Sequence, residues 1–418
     1  MKVFKFGGAS LNSVERIKNV GSILANYNGQ PLTVIMSAMG KTTNALEKVA
    51  DAFYAGNNEE ALKLFQLVKQ NHLTTAKYLL VTSYNQTLND LTSFFTEVEW
   101  LLHDKAVQSY DYYYDQVVCI GEMLSSRIVS AYLNESGITN QWLDVRDLLR
   151  TDNNFREANI CWEETKQNIS EAGILENPSI YITQGFIGAT DQNESTTLGR
   201  EGSDFTAAIF ANLLHAENLT IWKDVEGIMS ADPKLFPSAT LISELSFMEV
   251  IEMAFYGAQV IHPKTIKPLQ NKKITLQVKS FLNPSLPGTT ISNKASKNLP
   301  PVIVVKNKQI LVHLQSQDFS FVGEKPMSRL YQLFGELNIK PNLIQTGAIN
   351  LQVCLDDWEE KISQLAAMAS EIFDVQLEKD LTLLTIRHYT EDLLTQMLQQ
   401  KDVVLIQKNR ETVLVLYR

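Results

Sequence analysis

Nine consecutive residues, Thr196-Thr-Leu-Gly-Arg-Glu-Gly-Ser-Asp204, bring two glycines, a guanidinium and two carboxylates together just ahead of Phe205–His215, a run that is apolar almost all round. The order reads as a loop entering a buried helix, with Ser203 or Asp204 as a natural N-cap. Glycines let backbone N–H groups face a ligand at a helix N-terminus, and Arg200 can grip a carboxylate or phosphate through two hydrogen bonds. A second cation, Lys5, is enclosed by the apolar run Met1–Phe6, which Gly7-Gly8-Ala9-Ser10 follows. In an α/β sheet such a strand end is where ligands bind, and the second glycine removes any side chain between the turn and a bound group. A carboxylate, Glu122, follows Gly121 at the start of a helical run. Each feature has a plainer reading: a helix cap, an ordinary βα turn with a solvated lysine, and a glutamate favoured by the helix dipole. Together they offer two cations, Lys5 and Arg200, and three carboxylates, Glu122, Glu201 and Asp204, to an anionic or zwitterionic ligand.

The elements that must carry these residues alternate. After the first strand, Val14, Ile17, Val20, Ile23 and Leu24 mark an amphipathic helix, Leu32–Met36 a buried strand, and Ser37-Ala-Met-Gly-Lys-Thr-Thr-Asn44 a turn into another helix near Ala45. Gly40-Lys41-Thr42 has the look of a P-loop ending, but that motif needs glycine at position 35, where Ile35 stands. Residues 45–118 read as an inserted helical layer broken near Gly56–Asn58 and Thr82–Asn85. Ser179–Thr183, Leu219–Trp222 and Ile274–Val278 are further strands, and the polar stretch to Thr197 reads as a flap over the central loop. Lys223–Lys234 is a long polar turn at a strand end, where open sheets bind nucleotides. The predicted fold class is α/β, a mainly parallel sheet with helices on both faces, spanning 1–293.

Asn293–Pro301 reads as a linker. Beyond it Leu343-Ile-Gln345 is followed by Leu351 and Val353, and Leu405-Ile-Gln407 at the same spacing by Val413 and Val415. This predicts two small α+β units, about 302–375 and 376–418, each too small to bury a good core alone and so paired with one another or across a dimer.

Composition narrows the field. A net charge of -10 with 44% hydrophobic residues describes a globular chain and argues against nucleic-acid or membrane partners. Cys119, Cys161 and Cys354 are far apart and the six histidines are scattered, so neither a disulfide framework nor a zinc site is indicated, and a reducing cytoplasm fits best. No apolar run approaches the length of a membrane span, and with Met1 opening directly onto a strand no charged-then-apolar leader is expected.

Lys5-Phe-Gly-Gly-Ala-Ser10, the Ser37–Asn44 turn, Gly121-Glu122, Thr196–Asp204, Trp222-Lys-Asp-Val-Glu-Gly-Ile228, Asp232-Pro-Lys234 and Gly257-Ala-Gln-Val-Ile-His-Pro263 together resemble the aspartokinases, in this order and over almost the whole chain. The resemblance implies an amino-acid-kinase domain followed by a pair of ACT-type regulatory units, with no homoserine dehydrogenase domain after them. It implies transfer of the γ-phosphoryl group of Mg-ATP to the β-carboxylate of L-aspartate, the first step toward lysine, threonine and methionine. Lys5 would neutralise the transferring phosphoryl and Asp204 would hold Lys5. Glu122 would pair with the substrate ammonium and Arg200 with its α-carboxylate, while Ser37, Thr43, Thr197 and Ser203 would be supporting donors. Gly7, Gly8, Ser10, Lys223, Asp224, Lys234 and Gln259 would serve ATP, with no protein ligand to the metal. Asn342 and Thr346 fall where an amino-acid effector would bind, and the ACT units imply a homodimer.

Several positions depart from the family pattern. Gln259 stands where a phosphate-contacting lysine is usual, and Glu201, where glycine is frequent, adds a carboxylate to an anion site; both are expected to weaken ATP binding unless another cation compensates. Asn342–Ala348 holds no carboxylate for an effector ammonium, so altered or absent lysine feedback is expected. The chain stops just after the last strand, so the closing helix of the second unit is expected to be missing or supplied from elsewhere. These departures leave a weakly active or inactive paralogue, acting as an amino-acid-binding subunit, as the alternative to a working kinase.

Overall fold

A computed structural model describes residues 1–177, 179–258, 260–294, 299–318 and 320–418. The N-terminal part runs β1 Lys2–Phe6, α1 Val14–Ala25, β2 Leu32–Met36, α2 Thr42–Tyr54, α3 Asn58–Leu79, α4 Tyr84–His103, α5 Tyr110–Val118, α6 Ile120–Glu135, β3 Asn140–Trp142, α7 Val145–Leu148, α8 Trp162–Glu171 and β4 Ile180–Gln184. It continues with β5 Ile187–Ala189, β6 Ser195–Thr197, α9 Gly202–Leu213, β7 Asn218–Lys223, β8 Glu244–Ser246, α10 Phe247–Phe255, α11 Pro263–Lys272, β9 Thr275–Ser280 and β10 Thr289–Ser292. The main sheet has the order β3-β4-β2-β1-β7-β9-β10-β8, parallel from β3 through β9, with β10 antiparallel to β9. All five residues of β2 and of β4 are buried, as a parallel sheet covered on both faces requires.

The order reverses at β1, which has β2 on one side and β7 on the other. Phe6 pairs with both Met36 and Trp222, and Met36 with Gln184, so the carboxyl ends of four strands lie level and their following turns share one edge of the sheet. The helix α9 packs on β1, β2 and β7. Its middle is Thr206-Ala-Ala-Ile-Phe-Ala211, buried throughout, and the run of small residues lets it lie close to the strands. The inserted layer α2–α5 breaks where the sequence predicts, after Tyr54 and before Tyr84, and a third time between His103 and Tyr110, a break the sequence reading does not place.

The C-terminal part is β11 Val302–Ser316, α12 Glu324–Glu336, β12 Leu343–Thr346, β13 Asn350–Asp356, α13 Glu359–Ala369, β14 Phe373–Arg387, α14 Glu391–Leu398, β15 Val403–Lys408 and β16 Thr412–Tyr417. It forms one antiparallel sheet in the order β12-β13-β11-β14-β16-β15. The repeated Leu-Ile-Gln stretches become two hairpins, β12–β13 and β15–β16. The long strands β11 and β14 run antiparallel from Val302↔Arg387 to Ser316↔Phe373, with register shifts between Lys306 and Leu311. The helices α12 and α13 cover one half of the sheet around Ile310, Val312 and Leu314, and α14 covers the other around Leu384, Ile386 and Ile303. The two α+β halves are therefore nested. Residues 302–306 lie in the half closed by α14, whereas the repeat alone suggests consecutive units, because the pairing partner of a strand start is set by the sheet and not by chain order.

Two compact units result, and Met229–Thr240 and the segment from Glu252 in the last turn of α10 to Ala258 group with the C-terminal one. No helix among the described residues is long and apolar enough to cross a membrane.

Candidate active site

Lys5 lies at the level edge of the sheet, and its Nζ is 2.7 Å from Asp204 Oδ1 in the first turn of α9, with both side chains nearly buried. Burial alone pushes the Asp204 carboxyl up, but the charges of Lys5 and Lys223 outweigh it and hold the group below the usual carboxylate range. The ammonium of Lys223 donates to the Val260 carbonyl at 2.7 Å. A buried ion pair of this kind stabilises little by itself, yet removing one partner strands the other at a cost of ~3–5 kcal/mol.

The turns after β1 and β2 fit closely. The Gly40 N–H donates to Gly8 O at 3.0 Å, and a Cβ on Gly8 would lie 2.8 Å from the carbonyl oxygens of both Ala38 and Gly40. Only glycine allows that approach. The Ser37 N–H donates to Phe6 O at 3.1 Å, and Ser125 Oγ donates to Ser37 O at 2.6 Å, so α6 braces the second turn. From the same helix Glu122 Oε1 accepts the Ala38 N–H at 3.2 Å, while its Oε2 is buried with no hydrogen-bond partner among the described residues. Burial pushes the Glu122 carboxyl up to about 8, against the lowering effects of the Ala38 N–H and the charge of Lys5. Ser10 Oγ, on the short helical turn after Gly7, is likewise buried without a partner. Buried polar atoms are normally satisfied, so an orphaned carboxylate oxygen beside a charged pair fits a ligand that brings donors.

The remaining predicted residues divide. Thr43 is half-buried in the first turn of α2, and Ser203 is buried against Gly185, where a Cβ would come within 2.6 Å of Ser203 Cβ. Arg200 is exposed, with no ion pair or hydrogen bond from its guanidinium to a described residue. Thr197 already spends its hydroxyl, which donates to Asp115 Oδ1 at 2.6 Å. Asp224 is exposed after β7, Lys234 is exposed on the segment that groups with the C-terminal unit, and Gln259 lies outside the described residues. In the C-terminal sheet Thr346 is exposed and Asn342 half-buried.

Two local expectations need correction. Neither Ser203 nor Asp204 caps α9: the helix begins at Gly202, and Glu201 before it has φ 56. Asp204 is drawn to Lys5 instead of its own backbone. The left-handed φ at Glu201 also explains why glycine suits that position. Its carboxylate is engaged, since Oε2 accepts the His262 N–H at 2.9 Å at the start of α11. Asp115, missed by sequence reasoning, is buried on α5, and nothing local in Tyr110–Val118 marks it out.

The chain matches the model of the Amino acid kinase family over residues 1–280. It is 30% identical over 362 residues to the lysine-sensitive aspartokinase 3 of Escherichia coli, covering 85% of this chain and 78% of that one. This chain belongs to the aspartokinases. Aspartokinase 1 of Arabidopsis thaliana chloroplasts is 30% identical over 380 residues, which is 87% of this chain but 65% of the plant protein, so the chain spans just under two thirds of that relative's length. The crystal structure of E. coli aspartokinase III in complex with aspartate and ADP is 25% identical and superposes with a TM-score of 0.82, covering 100% of this aspartokinase and 96% of that chain. The same enzyme with lysine and aspartate superposes at 0.81.

Proposed function

We propose that the chain is an aspartate kinase that moves the γ-phosphoryl group of ATP to the β-carboxylate of L-aspartate, giving 4-phospho-L-aspartate, the entry to lysine, threonine and methionine biosynthesis. The observation that carries the reading is the buried Lys5–Asp204 pair with the unpartnered Glu122 Oε2 and Ser10 Oγ at one edge of the parallel sheet. Family membership and the aspartate- and ADP-bound E. coli relative support it. Phosphoryl transfer asks for positioning and charge neutralisation, not a covalent enzyme intermediate. Lys5, held by Asp204, meets the negative charge of the transferring group. Glu122 takes the substrate ammonium, and the arriving cation favours its ionised form. Arg200, its guanidinium unengaged by described residues, grips the α-carboxylate, with Ser37, Thr43 and Ser203 as supporting donors. Gly7, Gly8 and Ser10 close on the phosphates, and Lys223, Asp224, Lys234 and Gln259 serve the nucleotide.

Among the described residues no group of three or more His, Cys, Asp or Glu is arranged to hold a metal ion. In this reading Mg2+ arrives with the nucleotide as Mg-ATP and would supply charge neutralisation at the phosphates. We further assign 1–293 to catalysis and 302–418 to regulation by an amino acid at Asn342 and Thr346, with a homodimer formed through the ACT-type units in a reducing cytoplasm. The three unpaired cysteines support that compartment.

The test is trapping of aspartyl phosphate by hydroxylamine. Purified chain with ATP, Mg2+ and L-aspartate is expected to form the hydroxamate, and omission of any one to abolish it; parallel reactions with lysine or threonine read out the effector. A folded chain that forms none overturns the assignment.

A further inference from the structure

We propose that Asp115 is a positioning residue for substrate binding, anchoring the strand that presents the Leu198-Gly199-Arg200 loop; this rests on the kinase reading above. The strand β6 pairs with β5 along one edge only. Along its other edge, side chains of α5 replace a neighbouring strand. Gln116 donates to Ser195 O at 2.8 Å and accepts the Ser195 N–H at 3.1 Å. Two residues along β6, the Asp115 carboxylate accepts the Thr197 N–H at 2.8 Å and the Thr197 hydroxyl at 2.6 Å.

The same carboxylate reaches a second segment, accepting the Arg156 N–H at 2.9 Å, where Arg156 has φ 68. That segment is moulded to the loop. The Ala158 N–H donates to Thr197 O at 3.0 Å, and a Cβ on Gly199 would meet Arg156 O at 3.2 Å. Asp115 thus holds both walls of the turn that ends in Arg200 and, four residues later, Asp204. It touches no reacting group itself. A carboxylate satisfied by three donors from two segments fixes their separation, which an uncharged acceptor with one oxygen does not.

Burial pushes the Asp115 carboxyl up to about 6, despite its hydrogen bonds to Thr197 and Arg156 and the charge of Arg156. The groups around it are Arg156 on the facing segment, Tyr114 on α5 and Cys119 after it, with Glu47 of α2 and Glu122 of α6 acting on Tyr114. Protonation near pH 6 would remove acceptor capacity and loosen the loop.

Asp115→Asn in the full chain tests this. Amide hydrogen exchange is expected to quicken at 153–158 and 195–204 and nowhere else, with a rise of about 10-fold or more in KM for L-aspartate and little change in kcat or in KM for ATP. The wild type provides the same test without mutation: its KM for aspartate should climb as pH falls through about 6, and the variant should lack that limb. Unchanged exchange at 197–204 overturns the proposal whatever the activity, and so do equal losses in kcat and both KM values with a lowered Tm. If wild type makes no hydroxamate, the kinase reading falls while the exchange comparison still decides whether Asp115 anchors the loop.

Discussion

At the edge of the parallel sheet Glu122 Oε2 and Ser10 Oγ are buried without partners among the described residues. In the antiparallel sheet the corresponding candidate, Asn342, has its amide fully spent: Oδ1 accepts from Lys306 at 2.7 Å, and Nδ2 donates to Gln309 at 2.8 Å and Asp356 at 3.0 Å. A site preorganised for a ligand keeps hydrogen-bonding capacity in reserve and gives up stability to do so. A network closed on itself contributes stability, and a ligand must break it to enter. The sheet also sets a carboxylate, Asp356, beside Asn342, although the stretch 342–348 has none. That carboxylate lies eight positions beyond the stretch.

Variants on the two sides should therefore fail differently. The largest effect is expected from Lys5→Met, which removes the cation from the phosphoryl path and strands Asp204: a fall of about 10²–10³-fold in kcat, measured by hydroxamate formation. Wild-type turnover in this variant would break the comparison at its centre.

Next comes Glu122→Gln, which should lower affinity and raise stability together. Because the folded carboxyl is raised to about 8, the native state binds more protons than the unfolded chain between the ordinary glutamate value and that point. Stability from this group is present in full at low pH and is lost as pH rises through about 8. The variant should therefore show a higher Tm than wild type at pH 8, about 2–4 °C per kcal/mol gained, with KM for aspartate raised. A lowered Tm at that pH would show that Glu122 is a structural residue, not a reserved one.

Asn342→Ala should reverse the pattern. Losing hydrogen bonds to three side chains should cost about 1–2 kcal/mol in the C-terminal unit, read by urea unfolding, with kcat in the absence of effectors unchanged. The smallest effect is expected from Glu201→Gly: relief of the left-handed φ is offset by loss of the bond to His262 N–H, leaving the unfolding free energy within about 0.5 kcal/mol of wild type. A marked rise in ATP affinity in that variant would show that the Glu201 carboxylate burdens the anion loop.

Much of this fold is legible locally. The glycine turn after Lys5, the buried strand Leu32–Met36, the helical layer with its two breaks and the two hairpins follow from periodicity and turn residues within a few positions of one another. The candidate site is legible where motif and neighbour coincide, as at Lys5, Glu122 and Asp204. It is not legible at Asp115, whose partners Arg156 and Thr197 lie 41 and 82 residues away, nor at Glu201, whose carboxylate turns toward a helix start 61 residues on.

Sequence by itself determined which segments become strands and helices and which side chains have the chemistry for a phosphoryl donor and a zwitterionic acceptor, since backbone preference and residue type act at short range. Tertiary structure alone decided what those side chains meet: Lys5 with Asp204, an unpartnered oxygen on Glu122, Asp356 beside Asn342, and one α+β half nested within the other. These depend on packing between segments distant in the chain, where the charge environment, the burial and the remaining hydrogen-bond capacity of each group are set.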